Sequence, residues 1–252
     1  MESVLYITNT KIASVPDSWK LSLPRYGISL ASIGSLKPRE DALRRNAFFS
    51  SVGIDPNLVI SLSQTHSKII HIAKDTAEFI SFPEGDGILT KNPNLVPSVT
   101  VADCMPVYLF NPVVGCFGVL HSGWKGTGII GEALESAKKE WNAQASDFYI
   151  LFGPHIHSCC YTVDLERAEY FQYHFSKNSV VLDSIRVAEG NLWPYRLSLV
   201  EANKQLCISL GIPEAQIHDS GFCTCCNDIF GSNRRQGAGK FTQMTAFVSI
   251  PS

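Results

Sequence analysis

The sequence predicts an α+β fold in which mixed β-sheets are flanked by helices, rather than a doubly wound parallel sheet. Helical and strand-like stretches follow one another along the 252 residues without a regular βαβ rhythm. Several short apolar runs are joined by turns that are typical of hairpins. No internal repeat, low-complexity tract or linker interrupts the chain, so we expect a single domain over residues 1–252.

The first third of the chain predicts short strands and one helix. Residues 1–34 read as strands separated by turns at Asn9-Thr10, Pro16-Asp17 and Pro24. Residues 39–52 carry acidic residues near their start, and Gly53 follows their last residue. Both features indicate a helix that ends before Gly53. Its apolar positions predict an inner face of Leu43, Ala47 and Val52. Residues 58–62 form the next strand candidate.

The later elements are predicted from the same periodicities. Ile130, Ala133, Leu134 and Ala137 recur at helical spacing after a glycine-rich stretch, so residues 129–141 form the clearest helix. Further helices are expected over residues 165–176 and 197–210. Strands are expected over residues 105–110, 113–120, 148–152 and 245–250, with a short one beginning at residue 217.

Composition indicates an ordinary globular enzyme. The chain is 45% hydrophobic and 17% charged, and its net charge of −2 favours neither nucleic acid nor an anionic membrane as a partner. No run is long enough to span a bilayer, and the first residues lack the pattern of a signal peptide. Eight cysteines in such a chain suggest free thiols or metal ligands in a reducing compartment. We therefore expect a cytoplasmic protein.

The stretch over residues 100–126 holds the strongest chemical signal. Two apolar runs are joined by Asn111-Pro112, so they are expected to form a hairpin. Cys104 precedes the first run and His121 follows the second, which would bring a thiol and an imidazole to the same edge. Such a pair is a plausible half of a zinc site. Gly123, and the glycines after it, would allow close approach of the backbone.

His66 is the best candidate for a third ligand. A zinc ion held by Cys104, His121 and His66 would keep one open position, as catalytic zinc does, and would lower the pKa of bound water to about 7. His66 is as readily explained as a surface histidine. Cys104 with His121 is also compatible with a Cys–His hydrolase dyad, which would use the same thiol as a nucleophile. A measurement of bound metal would distinguish the zinc site from the hydrolase dyad.

The remaining cysteines and histidines give weaker signals. Cys159-Cys160 and the group Cys223, Cys225 and Cys226 are expected to be core or loop thiols rather than a second zinc cluster, because adjacent cysteines point apart in a strand. A multicopper laccase needs several His-x-His pairs. The chain has seven histidines in all, and His155-Ile-His157 is one such pair, so copper is a poor prediction.

An ordered series of motifs resembles one known family. The series is Gln64-x-His66, Asp86 with Thr90, Thr100-x-Ala102-Asp103-Cys104-x-Pro106, His121-Ser-Gly-Trp124-Lys-Gly126, Gly153-Pro154-x-Ile156 with Cys159-Cys160-Tyr161, Cys223-Thr224 and Phe230-x-Ser232-x-Arg234-Arg235. It is similar to the laccase-domain family, bacterial proteins once called multicopper polyphenol oxidases and now treated as purine nucleoside phosphorylases. The resemblance implies an α+β fold of the cytotoxic-necrotizing-factor-like cysteine hydrolase type.

The resemblance also implies which residues act. It implies zinc held by His66, Cys104 and His121, the same three residues that the chemistry selects. The catalytic residues would be Cys104, Asp103 and Arg45, and the substrate-binding residues would be Gln64, Asp86, Lys125 and Arg234. Asp103 could act as a general acid or base, or could orient a ligand histidine. An arginine of the family pattern is replaced by Lys125, and a carboxylate by Thr162, which affects substrate range more than the metal site.

The implied activities are phosphorolysis of adenosine, inosine or methylthioadenosine, and adenosine deamination. The partners would be a nucleoside and phosphate, with no nucleic acid or membrane. Arg45 with Lys125 or Arg234 could hold the phosphate. Alternatives are a hydrolase that edits peptidoglycan precursors, a zinc-stabilised interaction module and, more weakly, a copper-dependent polyphenol oxidase.

Overall fold

Two β-sheets packed face to face form the centre of the protein. The computed structural model describes residues 2–7 and 23–251, so the turns predicted at Asn9-Thr10 and Pro16-Asp17 lie outside the described residues. The first sheet has the strand order β1-β2-β14-β6-β3. Its strands are β1 (Val4–Ile7), β2 (Arg25–Ser29), β3 (Val59–Ile60), β6 (Val96–Val101) and β14 (Met244–Ser249). Only the pair β3 and β6 is parallel among the described pairs of this sheet.

The second sheet carries the predicted hairpin. Its order is β13-β9-β7-β8-β5-β4, with parallel pairs at both edges and antiparallel pairs between them. The strands are β4 (Ile70–Ala73), β5 (Gly87–Thr90), β7 (Met105–Asn111), β8 (Cys116–Ser122), β9 (Tyr149–Phe152) and β13 (Ile217–Asp219). A small antiparallel sheet contains β10 (Thr162–Val163), β12 (Tyr195–Leu197) and β11 (Val180–Leu182). The predicted mixed sheets are therefore confirmed.

Three of the six described helices cover the outer face of the second sheet. The helices are α1 (Ala42–Ser51), α2 (Ile129–Trp141), α3 (Leu165–His174), α4 (Ser184–Ala188), α5 (Leu199–Ser209) and α6 (Asn233–Gln236). Ile130 and Ala133 of α2, Phe171 of α3 and Ala202 of α5 are buried in one apolar cluster with the outward side chains of the second sheet. Each large apolar side chain buried in this way stabilises the fold by about 1.5–3 kcal/mol.

A second apolar cluster joins the two large sheets. It holds Tyr26 and Ile28 of the first sheet and Phe110 and Phe117 of the second. The hydroxyl of Tyr108 donates a hydrogen bond of 2.9 Å to the carbonyl of Gly27 across this interface. Because β7 and β8 are buried on both faces, their backbone positions are firmly fixed, which matters for the residues at their ends.

Helix α1 buries a different face from the one predicted. Leu43 is 89% exposed, whereas Arg45, Phe48 and Phe49 are buried. The ring of Phe49 packs edge-on against Phe247 of the first sheet, with centroids 5.3 Å apart. The prediction of a Leu43 and Ala47 face was wrong because two adjacent phenylalanines offer more apolar surface to the sheet than a leucine and an alanine.

The other boundaries agree with the predictions to within a few residues. Helix α2 begins and ends at the predicted residues, but the strand expected over residues 58–62 contains only Val59–Ile60. Among the described residues no helix combines the length and apolar character needed to cross a bilayer. The finer assignment to a cysteine hydrolase type of fold stays a prediction.

Candidate functional site

The hairpin β7–β8 brings a thiol and an imidazole together, as the sequence predicts. His121 lies near the end of β8 and pairs with Pro106 of β7, and Cys104 lies two residues before Pro106. The Sγ atom of Cys104 is 3.9 Å from Nε2 of His66. One potential ligand atom from each of His66, Cys104 and His121 lies within 4.8 Å of the others. The three predicted ligands thus converge.

His66 reaches this position from the loop between β3 and β4. Its φ is +58°, in the left-handed region that residues other than glycine rarely adopt. The buried carboxylate of Asp86 accepts hydrogen bonds from three successive backbone N–H groups, those of Thr65, His66 and Ser67, at 2.7–3.1 Å. The Ser67 hydroxyl also donates to Asp86, at 2.7 Å. These contacts hold the unusual backbone of His66 in place.

The same carboxylate orients the second histidine. Oδ1 of Asp86 lies 2.8 Å from Nδ1 of His121, and both side chains are buried. An Nδ1–H that donates to Asp86 turns Nε2 of His121 toward Cys104, where Nε2 could donate an electron pair to a metal ion that displaces its proton. Asp86 therefore fixes both candidate ligand histidines. The family resemblance implied substrate binding for Asp86, but its side chain is fully buried behind His121.

Cys104, His121 and Asp86 stabilise one another in their charged forms. Burial alone would raise the pKa of Cys104, but the charge of His121 and hydrogen bonds from His121 and His66 outweigh it and lower that pKa to about 6. Burial would lower the pKa of His121, but Cys104 and Asp86 raise it to about 9. The pKa of Asp86 is about 2, because hydrogen bonds from His121 and Ser67 outweigh its burial. The site thus favours a thiolate at neutral pH.

Asp103 does not orient a histidine. Its carboxylate accepts hydrogen bonds from the hydroxyl of Thr224 and the backbone N–H of Arg234, both at 2.7 Å. Its φ of +80° is left-handed, as is that of His66. Two residues next to the Cys104 thiol in space, His66 and Asp103, therefore have an unfavourable backbone conformation. Such strain is typical of functional sites. The orienting role that the sequence left open for Asp103 belongs to Asp86.

Gly123 leaves room for the Cys104 thiol. A β-carbon at Gly123 would lie 2.6 Å from Sγ of Cys104. We expect Gly123→Ala to displace the thiol, to lower metal affinity measured by competition with a chelator, and to reduce the free energy of unfolding by about 1–3 kcal/mol. Gly131→Ala is the matched control, because a β-carbon there would make only an ordinary 3.8 Å contact with Leu210. Unchanged metal affinity in Gly123→Ala would contradict the expectation.

Two neighbouring cavities meet at Cys104. The larger, of about 430 Å³, is lined by Lys37, Pro38, Arg39, Glu40, Leu62, Ser63, Gln64, His66, Phe82, Thr100, Ala102, Cys104, His121, Asn233, Phe241 and Gln243. The smaller, of about 200 Å³, is lined by Ala102, Asp103, Cys104, Gly123, Trp124, Ile156, Tyr161, Leu199, Asn233 and Arg234. Both include Cys104 and Asn233 in their walls. The candidate metal centre is therefore accessible to a small molecule.

The residues predicted to bind substrate are not all in these cavities. Gln64 lines the larger cavity and its amide is fixed by the backbone of Thr100. Arg234 lines the smaller cavity. Lys125 is exposed beside it, with Nζ 5.7 Å from the centre of the Trp124 ring.

Arg45 lines neither cavity. It is 6% exposed, and its guanidinium donates to the hydroxyls of Ser61 and Ser98 and lies over the Phe49 ring. Burial lowers its pKa to about 10. The guanidinium of Arg45 therefore contacts residues of the protein interior, and its predicted role in phosphate binding stays a prediction.

Sequence reasoning missed several residues of the larger cavity. Lys37 and Arg39 come from the segment before α1, and Phe241 and Gln243 from the segment before β14. These two segments are adjacent because the N–H of Leu36 donates to the carbonyl of Gln243. No local pattern predicts a contact between residues some 200 positions apart, so only the tertiary structure identifies them.

His66, Cys104 and His121 fit a metal ion of the softer first-row type. One thiolate and two imidazoles form a donor set typical of zinc and also used by copper. The lowered pKa of Cys104 favours the thiolate form that binds metals. The hydrogen bond to Asp86 fixes the ring of His121 in one orientation. The same geometry is compatible with a Cys–His nucleophile, so the metal content of the protein decides between the two.

Two further groups of potential ligands lie outside the cavities. One group contains four cysteines that were predicted to be core or loop thiols pointing apart, and their sulfur atoms converge: Cys159, Cys160, Cys223 and Cys226. The adjacent cysteines lie in a turn and not in a strand, so they do not point apart. Cys223 and Cys226 also have the two-residue spacing common among zinc ligands, which was the overlooked signal. The His155-x-His157 pair lies near Asp219.

Comparisons with known proteins agree with the predicted resemblance. Residues 37–250 match the family described as multi-copper polyphenol oxidoreductase laccase. The purine nucleoside phosphorylase YlmD of Geobacillus stearothermophilus is 31% identical over 178 residues, which cover 66% of the chain and 60% of that protein. The chain thus spans about three fifths of the length of this relative.

Other relatives align along more of their length. The adenosine deaminase RL5, from an unknown prokaryotic organism, is 30% identical over 212 residues, which cover 79% of each chain. The crystal structure of YlmD from Geobacillus stearothermophilus superposes on all of this chain with a TM-score of 0.83 at 23% identity, and 97% of that chain is covered. Because the family match spans most of the sequence, the chain belongs to the multi-copper polyphenol oxidoreductase laccase family.

Proposed function

We propose that the protein is a zinc-dependent purine nucleoside phosphorylase that converts adenosine, or a related purine nucleoside, and phosphate into the free base and ribose 1-phosphate. The observation that carries this proposal is the convergence of His66, Cys104 and His121 at the wall of a cavity of about 430 Å³. That volume suits a small molecule the size of a nucleoside. The relatives named as purine nucleoside phosphorylases support the choice of reaction.

His66, Cys104 and His121 would hold the zinc ion. When bound, zinc supplies a Lewis acid that stabilises developing negative charge on an oxygen atom. Zinc is preferred to copper because three protein ligands beside an accessible cavity are typical of catalytic zinc. Asp86 keeps the two histidines in the orientation that this role needs.

The two cavities suit the two substrates. Phe82 and Phe241 give the larger cavity aromatic walls that a purine ring could contact, and Gln64 adds a polar edge. Two cationic side chains lie at the smaller cavity: Arg234 lines it, and the guanidinium of Arg167 lies 3.8 Å from the centre of the Trp124 ring in its wall. We place phosphate there, because cations hold phosphate oxygens through charge-assisted hydrogen bonds.

In this arrangement the reaction needs mainly positioning. A phosphate oxygen forms a bond to C1′ of the ribose while the bond from C1′ to the purine nitrogen breaks, and the leaving purine takes up the proton that the hydrogen phosphate loses. Cavities that share the Cys104 wall would hold the two reactants next to each other, which lowers the entropic part of the barrier. A reducing compartment, such as the cytoplasm, would keep the eight cysteines free, as they are in this structure.

Adenosine deamination is a second candidate. The observation that favours it is the relative named as an adenosine deaminase, whose alignment covers 79% of each chain. Water would then attack the purine ring in place of phosphate attacking the ribose, and ammonia would leave. The same metal centre would serve, so the product distinguishes the two reactions.

The test is incubation of zinc-loaded protein with adenosine, with and without phosphate, followed by chromatography of the products. Adenine and ribose 1-phosphate that form only in the presence of phosphate are the expected result. Inosine in both samples would establish the deaminase instead. The absence of any product, with zinc shown to be bound, would overturn the proposal.

A further inference from the structure

Four cysteine thiols come together outside the cavities. Sγ of Cys159 lies 3.8 Å from that of Cys160, 3.7 Å from that of Cys223 and 3.4 Å from that of Cys226. The Sγ atoms of Cys160 and Cys226 are 3.3 Å apart. All four sulfur atoms lie within 4.8 Å of one another. They therefore form a compact group rather than a chain of pairwise contacts.

The spacing of these sulfurs matches a single tetrahedral metal ion. With a zinc–sulfur bond of about 2.3 Å, the edges of a regular tetrahedron of thiolates measure about 3.8 Å. The sulfur–sulfur separations of 3.3–3.8 Å are at or slightly below that edge. A disulfide would join only two of the four thiols, so it does not account for the convergence of all of them.

Two turns present the four thiols. Cys159 and Cys160 lie in the turn after β9, and Cys223 and Cys226 lie in the turn after β13. The backbone N–H of His157 points at Sγ of Cys223 from 3.4 Å, a contact that suits a thiolate acceptor. The two turns are adjacent because β9 and β13 are parallel neighbours in the second sheet.

Three arginine side chains donate hydrogen bonds to backbone carbonyls of the same two turns. Arg196 donates to the carbonyls of Ser158 and Cys159, and Arg234 donates to the carbonyl of Cys160. Arg235 donates to the carbonyls of Thr224 and Cys225. A zinc ion with four thiolates carries two negative charges, and three nearby guanidinium groups would offset them.

We propose that Cys159, Cys160, Cys223 and Cys226 bind a structural zinc ion, separate from the site of His66, Cys104 and His121. Four protein ligands would close its coordination, as in structural zinc sites generally. The ion would join the two turns on which the smaller cavity depends. Thr224 of the second turn donates to Asp103 next to Cys104, and Tyr161 follows the first turn in the cavity wall.

The test counts zinc ions per chain by mass spectrometry of the metal after zinc loading under reducing conditions and removal of unbound zinc. We expect two ions in the unmodified chain and one in Cys226→Ser. Cys225→Ser is the matched control, because Cys225 lies in the same turn but outside the four-sulfur group, and it should retain two ions. A chain with both His66→Ala and His121→Ala should retain one.

Cobalt gives an independent measurement. In the chain with His66→Ala and His121→Ala, bound cobalt should show the strong sulfur-to-metal absorption of several thiolates. Adding Cys226→Ser to that chain should remove most of the absorption. The proposal is overturned if the double histidine variant binds neither zinc nor cobalt, or if its cysteines react with a thiol reagent equally fast with and without zinc. Neither result depends on nucleoside activity, so failure of the proposed reaction is distinguishable.

Discussion

Replacing Cys104 by alanine should remove both metal binding at the cavity and turnover of the nucleoside. Cys104 lies in the walls of both cavities and supplies the single thiolate among the three candidate ligands. A metal ion can contribute several kcal/mol to transition-state stabilisation, so the loss in kcat/KM should be on the order of 10³-fold or more. Metal content and steady-state kinetics on adenosine with phosphate check this result.

Cys116→Ala is the matched control for this variant. Cys116 is a buried thiol in the same hairpin, but it pairs with Asn111 at the opposite end of the strands. Its loss should lower stability modestly and leave metal content unchanged. A Cys104→Ala chain that binds no metal and keeps full activity would contradict the metal-dependent reaction.

Asp86→Asn should damage both candidate ligand histidines at once. The carboxylate accepts the Nδ1–H of His121 and the backbone N–H groups around His66, and an amide can accept only some of these bonds. Loss of such an orienting group typically lowers metal affinity or activity on the order of 10- to 100-fold. The free energy of unfolding should also fall by about 2–4 kcal/mol, because a buried hydrogen-bond network is broken.

Asp103→Asn is the matched control, because it neutralises a second carboxylate near Cys104 that does not contact either histidine. Its carboxylate contacts Thr224 and Arg234 and neither histidine, so metal affinity should stay close to that of the unmodified chain. Chelator competition on the two variants and chemical denaturation measure the difference. Equal losses of metal affinity in both variants would show that Asp86 has no special role in orienting the histidines.

The sequence predicted that Cys104 and His121 of the candidate metal centre lie together, because this part of the geometry is local. A turn at Asn111-Pro112 and two apolar runs require a hairpin, and a hairpin necessarily brings Cys104 close to His121. The glycine at position 123 likewise indicated a close approach, and the structure places the Cys104 thiol there. Helix α2 was predicted to the residue because its apolar positions follow helical spacing without interruption.

The roles of Asp86, Arg45 and the four-cysteine group depended on contacts between distant parts of the chain. Asp86 was predicted to bind substrate, since nothing in a Gly-Asp-Gly segment shows that three backbone N–H groups and an imidazole surround its carboxylate. Arg45 was predicted to be catalytic and to hold phosphate, but in the structure it lies on a buried helix face and donates to Ser61 and Ser98.

By itself, then, the sequence determined the fold class, the hairpin and the pairing of Cys104 with His121, because hydrophobic periodicity and turn residues act over short distances. The third candidate ligand, His66, was proposed from its residue type and from the family resemblance. Only the tertiary structure decided which carboxylate orients His121, which side chains line the cavities and that Cys159 and Cys226 lie side by side. These contacts depend on how the sheets pack and on which strands become neighbours. Both are decided by the whole core rather than by any local pattern.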